Sequence, residues 1–255
     1  MDAMTLKLLR ALPLILLLAG CSSLGSVEDN EDASAEQLYE QARAAMRAKN
    51  NERALELLET LQARYPFGDH ALQAQLDLIY MYFKNDEWDA AISAADRFMR
   101  LNPTHPRVDY ALYMRASANM ERGGNFISRK FRLNRALRDP APLRQALADF
   151  QRLVIDHPDS IYSKDARVRI AALRNQLAEH ELAVARFYQS RSAYVAAANR
   201  AKTILTEYQD TPAVEPALAI LVEAYEHLGL SDLRDDVLRI IRQHYPNHPV
   251  LGTAG

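Results

Sequence analysis

The chain has 255 residues, a formal net charge of −2 and a pI near 6.4. That length fits one long domain or two small ones, and the near-neutral balance gives no support to nucleic acid as a main partner. Eight glycines, set against abundant alanine, leucine and arginine, favour helix over strand.

Residues 1–20 read as a secretory signal rather than as part of the fold. Lys7 and Arg10 precede an apolar run at residues 11–18. The run is far shorter than the roughly 20 apolar residues that cross a bilayer, and it has the length of a signal-peptide h-region. It ends in Leu18-Ala19-Gly20-Cys21, the pattern of a bacterial lipobox. In that class of signals the peptidase cuts before the cysteine, which becomes the lipidated first residue. Cys21 is the only cysteine, so it has no disulfide partner in the chain. Lipidation would consume its thiol; the competing reading is a chance cysteine behind an ordinary signal. Ser22 resembles the outer-membrane default, where an aspartate would resemble an inner-membrane retention signal. Apart from a covalent lipid on Cys21, no cofactor is expected.

Residues 21–34 form the expected tether. They are small, polar and acidic, with Glu28, Asp29, Glu31 and Asp32, and cannot bury enough apolar area to order themselves. About 13 such residues reach roughly 20 Å r.m.s., which would hold the folded part close under the membrane. The same composition would also serve as a plain solubilising tail.

From residue 35 to residue 247 the sequence repeats a helical pair, followed by a tail at 248–255. A small residue near the start of each second helix is followed twelve residues later by a turn. Ala54 leads to Pro66, Ala91 to Pro103, Ala146 to Pro158 and Ala197 to Gln209, just before Pro212. Arg234 leads to Pro246, although arginine breaks the small-residue rule. Seven residues after each marker stands an apolar residue: Leu61, Phe98, Leu153, Ile204 and Ile241. The physics is that of a tetratricopeptide (TPR) solenoid. A small side chain lets two helices approach closely, proline stops the second helix, and each pair must stack on the next to cover its apolar face. The predicted fold is therefore all-α, a TPR-like solenoid of about five repeats.

The intervals between turns are not uniform. Pro66 to Pro103 is 37 residues, Pro103 to Pro158 is 55 and Pro158 to Gln209 is 51. The first excess predicts an insertion in the third repeat, at about residues 123–138. The second predicts an extra helix before the fourth repeat, at about residues 165–178. Helix starts are marked by Ser34 with Gln37, a capping box, by Asp139 before Pro140, and by Gly229 closing one helix with Ser231 capping the next.

Three stretches go beyond a generic repeat: RYPFG at residues 64–68, QLDLIY at 75–80 and RLNPTHP at 100–106. In this order, and with the lipobox, they resemble the BamD family of outer-membrane β-barrel assembly lipoproteins, and the likeness runs along nearly the whole chain. The resemblance implies a periplasmic scaffold held to the outer membrane by its lipid anchor. It implies binding to a POTRA domain of BamA, to companion Bam lipoproteins and to unfolded outer-membrane proteins. Rival classes are another TPR lipoprotein adaptor, such as a pilus-secretin assembly factor, and a cell-wall hydrolase or its regulator. The quoted motifs speak against the first rival, and the lack of a catalytic set against the second.

Candidate sites follow from the repeat register. First helices of TPR pairs line the concave groove, so Tyr39, Tyr80, Phe83, Tyr110 and Tyr113 should point into or near it, with Tyr65 and Phe67 at the first turn. Aromatic side chains offer large contact area at low entropy cost, which suits an extended client segment; packing between helices would use the same residues. Arg200 lies off the stripe of Ala197, Ala201 and Ile204 and should face outward. The resemblance implies that it pairs with an acidic residue of BamA, for which a guanidinium is well suited; a solvated arginine is the alternative. Residues 122–138 carry Arg122, Arg129, Lys130, Arg132, Arg135 and Arg138 and no acid. That segment reads either as a recruitment loop for anionic partners or as one folded back on acidic helix faces. His244 and His248 are separated by Pro246, the other histidines are scattered, and no phosphate loop or nucleophile elbow occurs. No catalytic or metal residues are assigned, and no enzyme activity is expected.

Overall fold

The computed structural model describes residues 33–124 and 139–253. They form eleven helices and no strand. These are α1 (Ala35–Arg47), α2 (Asn51–Arg64), α3 (Asp69–Lys84), α4 (Trp88–Leu101), α5 (Val108–Gly124), α6 (Ala141–Asp156), α7 (Ser163–Gln189), α8 (Tyr194–Glu207), α9 (Val214–His227), α10 (Ser231–His244) and α11 (Val250–Thr253). Each helix from α1 to α10 packs on the next, and first helices of neighbouring pairs also touch, α1 on α3, α3 on α5 and α7 on α9. The result is a solenoid of five helical hairpins.

The twelve-residue spacing has a direct structural counterpart. Ala54, Ala91, Ala146 and Ala197 are fully buried, as are Leu61, Phe98, Leu153, Ile204 and Ile241. The carbonyls of those five apolar residues accept the capping N–H of Tyr65, Asn102, His157, Tyr208 and Tyr245 respectively. Four of these caps are followed at once by proline, and in the fourth repeat proline comes four residues later, so the chain cannot continue the helix. Burying side chains of this size contributes about 1.5–3 kcal/mol each. Arg234, the irregular marker, is only partly covered and pairs with Asp235.

The turns inside the hairpins share a second device. Lys49, Asp86, Ser192 and Gly229 sit in the left-handed region, with φ of 58°, 61°, 57° and 70°. In each case the next N–H reaches back five residues, from Asn50 to Ala45, Glu87 to Tyr82, Ala193 to Tyr188 and Leu230 to Tyr225, at 2.9–3.0 Å. This closure satisfies carbonyls that the helix end leaves open. Gly229 adopts it without a Cβ penalty, while the other three carry a strain of roughly 1 kcal/mol each.

The predicted caps hold in part. Ser34 and Gln37 bond reciprocally, at 3.2 and 2.8 Å. Asp139 does not occupy the N-cap of α6: Pro140 does, one residue before the first helical position expected for it, and Asp139 Oδ1 instead accepts the Ala141 N–H from outside the helix at 2.9 Å. Ser231 does not cap α10; Leu230 occupies the N-cap and no side-chain bond forms. The extra residues before the fourth repeat do not make a separate helix. They lengthen α7 to 27 residues, because residues 163–189 contain neither proline nor glycine to break it. α7 packs on both α6 and α8.

In the third hairpin, α5 and α6 close on each other at the base of the insertion. A Cβ on Gly123 would lie 2.7 Å from Leu143 Cδ2, so only glycine fits this approach without a shift. Residues 125–138 themselves lie outside the described residues, as do Cys21 and most of the tether. Among the described residues no helix is long and apolar enough to cross a membrane.

Candidate functional site

The first helices carry a continuous polar and aromatic strip. On α1, the Tyr39 hydroxyl donates to Asp77 of α3 at 3.0 Å. Gln73 Nε2 donates to the other Asp77 oxygen at 3.2 Å. The Tyr39 ring packs on His70 at 5.6 Å, and Arg43 lies over it at 5.9 Å. Burial and the adjacent Asp77 carboxylate push the Tyr39 phenol well above its ordinary range. Burial likewise raises the Asp77 carboxyl, against the two hydrogen bonds that lower it. A depression of about 510 Å³ opens beside this pair, lined by Tyr39, Arg43, Met46, Arg47, Gln73 and Asp77. A second, of about 500 Å³, shares Gln73 and continues along α3 to His105 and Arg107.

Further along, Tyr110 and Tyr113 of α5 meet Tyr162, which precedes α7. Their ring centroids lie 5.8 and 4.8 Å from it, the second pair stacked. Arg107 covers Tyr110 at 5.1 Å and Arg169 covers Tyr113 at 5.6 Å. The Tyr113 hydroxyl donates to Asp165 Oδ2 at 2.7 Å. Burial raises the Tyr110 phenol above its usual value, and Tyr162, Asp77 and Tyr80 are close enough to add to the effect. Tyr80 is 40 % exposed. Tyr39, Tyr80, Tyr110 and Tyr113 stand on first helices, but Tyr39, Tyr110 and Tyr113 also pack against buried core residues, Tyr113 edge-on to Phe150 of α6 at 5.8 Å.

The other three aromatic candidates go elsewhere. Tyr65 is a structural tie: its hydroxyl donates to the Ala33 carbonyl at 2.9 Å, and its ring packs against the buried group that includes Leu38, Leu58 and Leu61. Phe83 turns toward α4, edge-on to Trp88 at 5.0 Å and packed against the buried group that includes Leu76, Ile79 and Phe98. Phe67 stands 89 % exposed in the turn between α2 and α3, at the edge of the solenoid.

Arg200 lies on α8, off the buried Ala197, Ala201 and Ile204, and its side chain is 44 % exposed. It is not free, however. Arg200 Nη1 bonds Glu181 Oε2 at 3.1 Å, and Arg144 Nη2 bonds Glu181 Oε1 at 2.7 Å. Glu181 is only 1 % exposed. One buried carboxylate of α7 thus binds an arginine from α6 and another from α8. Arg122, the first cation of the basic segment, is also paired, with Asp89 at 2.6 Å; Arg129, Lys130, Arg132, Arg135 and Arg138 lie outside the described residues.

The YfiO family, described as outer membrane lipoprotein, matches residues 31–240. The chain belongs to that family. Outer membrane protein assembly factor BamD of Vibrio cholerae serotype O1 is 45 % identical over 216 residues, which cover 85 % of this chain and 89 % of the relative. The BamD of Neisseria meningitidis serogroup A is 40 % identical over 252 residues, covering 97 % and 94 %. Among solved structures, the MamA crystal structure aligns with 83 % of this chain and 94 % of its own at a TM-score of 0.41 and 16 % identity.

In this member of the YfiO family, sequence reasoning missed several residues of the strip. Asp77, His70 and Gln73 share one face of α3 at helical spacing, a signal that only a known neighbour for that face makes readable. Tyr162 follows a turn rather than standing inside a helix, so the register of first helices passed over it. Glu181 gave no signal, since a lone glutamate on a long helix reads as solvated.

Proposed function

We propose that the protein is a non-enzymatic scaffold of outer-membrane β-barrel assembly, lipidated at Cys21 and exposed on the periplasmic face of the outer membrane. The single observation that carries this reading is family membership across nearly the whole chain, with relatives named outer membrane protein assembly factors. In this reading Arg200 contacts a POTRA domain of BamA, and companion Bam lipoproteins share the platform. The strip of Tyr39, Asp77, Tyr80, Tyr110 and Tyr113 receives extended segments of unfolded outer-membrane proteins. Its aromatic rings and paired hydrogen-bonding groups suit a chain whose backbone is unpaired and whose side chains include aromatics.

Crosslinked co-purification in native detergent tests the assembly role. BamA is expected in the eluate; a secretin or a murein enzyme in its place would overturn the reading. Mass spectrometry of the mature N-terminus tests the anchor. An acylated Cys21 is expected, and a free Ser22 terminus or an uncleaved chain would rule it out.

A further inference from the structure

We infer that Glu181 is a positioning residue that holds Arg144 and Arg200 as a two-guanidinium receptor for one partner carboxylate, so that Arg144 is a second contact beside Arg200. The inference rests on the reading of Arg200 as a BamA contact and extends it to two residues from other helices.

The geometry carries it. Glu181 is 1 % exposed, yet both of its oxygens are taken by side chains that are half in solvent, Arg144 at 47 % and Arg200 at 44 %. The neutralising charge is buried and the two cations face outward, so this group of three carries a net positive charge on its solvent side. Each guanidinium spends one N–H on Glu181 in this arrangement. Its planar fork has five donors in all, so several remain for a second acceptor on the solvent side. A carboxylate arriving there would bridge the two arginines opposite Glu181. The four groups would then alternate in charge and sum to zero, the pattern that makes desolvation of an ion pair tolerable. A lone surface arginine would have to be ordered on binding, at a cost in side-chain entropy. Here Glu181 fixes both forks beforehand, from three helices that belong to two adjacent repeats. The occupant this fits is an acidic side chain on a folded partner surface.

A purely structural brace would share the same contacts, so the test uses a sign that a brace does not predict. Binding of the full lipoprotein to purified full-length BamA is measured in detergent, with melting temperature alongside. Glu181→Gln raises the positive charge of the patch but removes the group that aims it. If positioning governs, binding weakens by about 30-fold or more; if attraction alone governs, it tightens. Arg144→Lys keeps a cation for Glu181 but loses the fork, so the fold is expected to persist while binding falls. Binding by Glu181→Gln that equals or exceeds wild type overturns the inference, and so does wild-type affinity in Arg144→Lys. Should Glu181→Gln fail to fold, Arg144→Lys decides. Loss of binding in Arg200→Ala with neither of these effects would leave the BamA reading standing and remove this one. No binding by the wild type would remove both.

Discussion

The Tyr113 hydroxyl donates to Asp165 across the joint between the third and fourth repeats, at 2.7 Å. Asp165 also accepts from Arg169 one turn along α7. Burial raises the Asp165 carboxyl, but these two hydrogen bonds and the arginine charge outweigh it and hold the group below its usual value of 3.8. A depressed carboxylate stabilises the folded state above its unfolded pKa and loses that contribution as pH falls through the folded pKa. Wild type should therefore exceed Asp165→Asn in melting temperature by a constant margin from pH 7 to about pH 5, and the margin should shrink below about pH 4. The margin is small, because the carboxylate is half exposed and screened. A margin that persists unchanged at low pH would show that the charge is not its source.

Ala91 is fully buried where α4 meets its neighbours. Ala91→Trp should overpack the second hairpin and cost about 1–3 kcal/mol or more. Denaturant unfolding followed by circular dichroism measures it. An unchanged midpoint would mean that the hairpin has room that full burial of the alanine denies.

Arg200→Glu bears on stability as well as on binding. The outward register alone predicts a variant that folds like wild type, but the Glu181 contact changes that expectation. The substitution sets a second carboxylate beside one that is 1 % exposed and leaves Arg144 as the remaining arginine on it among the described residues. Breaking a fully buried pair costs about 3–5 kcal/mol; here Arg144 remains and Arg200 is half exposed, so about 1–3 kcal/mol is expected. Arg200→Gln, which keeps a hydrogen-bond donor, should lose less. Equal melting temperatures for wild type and Arg200→Glu would refute the coupling.

Tyr65 and Phe67 are two residues apart and should behave oppositely. Tyr65→Phe removes the tie to the Ala33 carbonyl and should cost about 0.5–1.5 kcal/mol. Phe67→Ala removes an almost fully exposed ring and should stay within about 0.5 kcal/mol of wild type. If Phe67 contacts clients in spite of lying off the strip, the same variant will weaken crosslinking to an unfolded outer-membrane protein at unchanged stability. Unchanged crosslinking confines client contact to the first-helix face.

The chain sequence by itself determined the repeat. A small residue, an apolar residue seven places on and a proline at twelve are local requirements of a helix pair that must pack closely and then stop, so they leave a periodic trace. The five caps at Tyr65, Asn102, His157, Tyr208 and Tyr245 fall on that trace. The hairpin turns were legible only at Gly229, because Lys49, Asp86 and Ser192 adopt the same left-handed conformation without the residue that advertises it. The unbroken length of α7 was also readable, in the absence of proline and glycine from residues 163–189, although the spacing alone suggested a separate helix.

The partners of individual side chains were decided only by tertiary structure. Tyr39 meets Asp77 across 38 positions, Tyr113 meets Asp165 across 52, and Glu181 gathers Arg144 and Arg200 from two other helices. Helical periodicity says which face a residue occupies but not what lies opposite that face. That depends on the crossing of one helix over another, which is set by the packing of many buried side chains together. Arg200 shows the consequence: its outward register was correct from sequence, and its buried counter-charge, which changes what the residue can do, was not visible there.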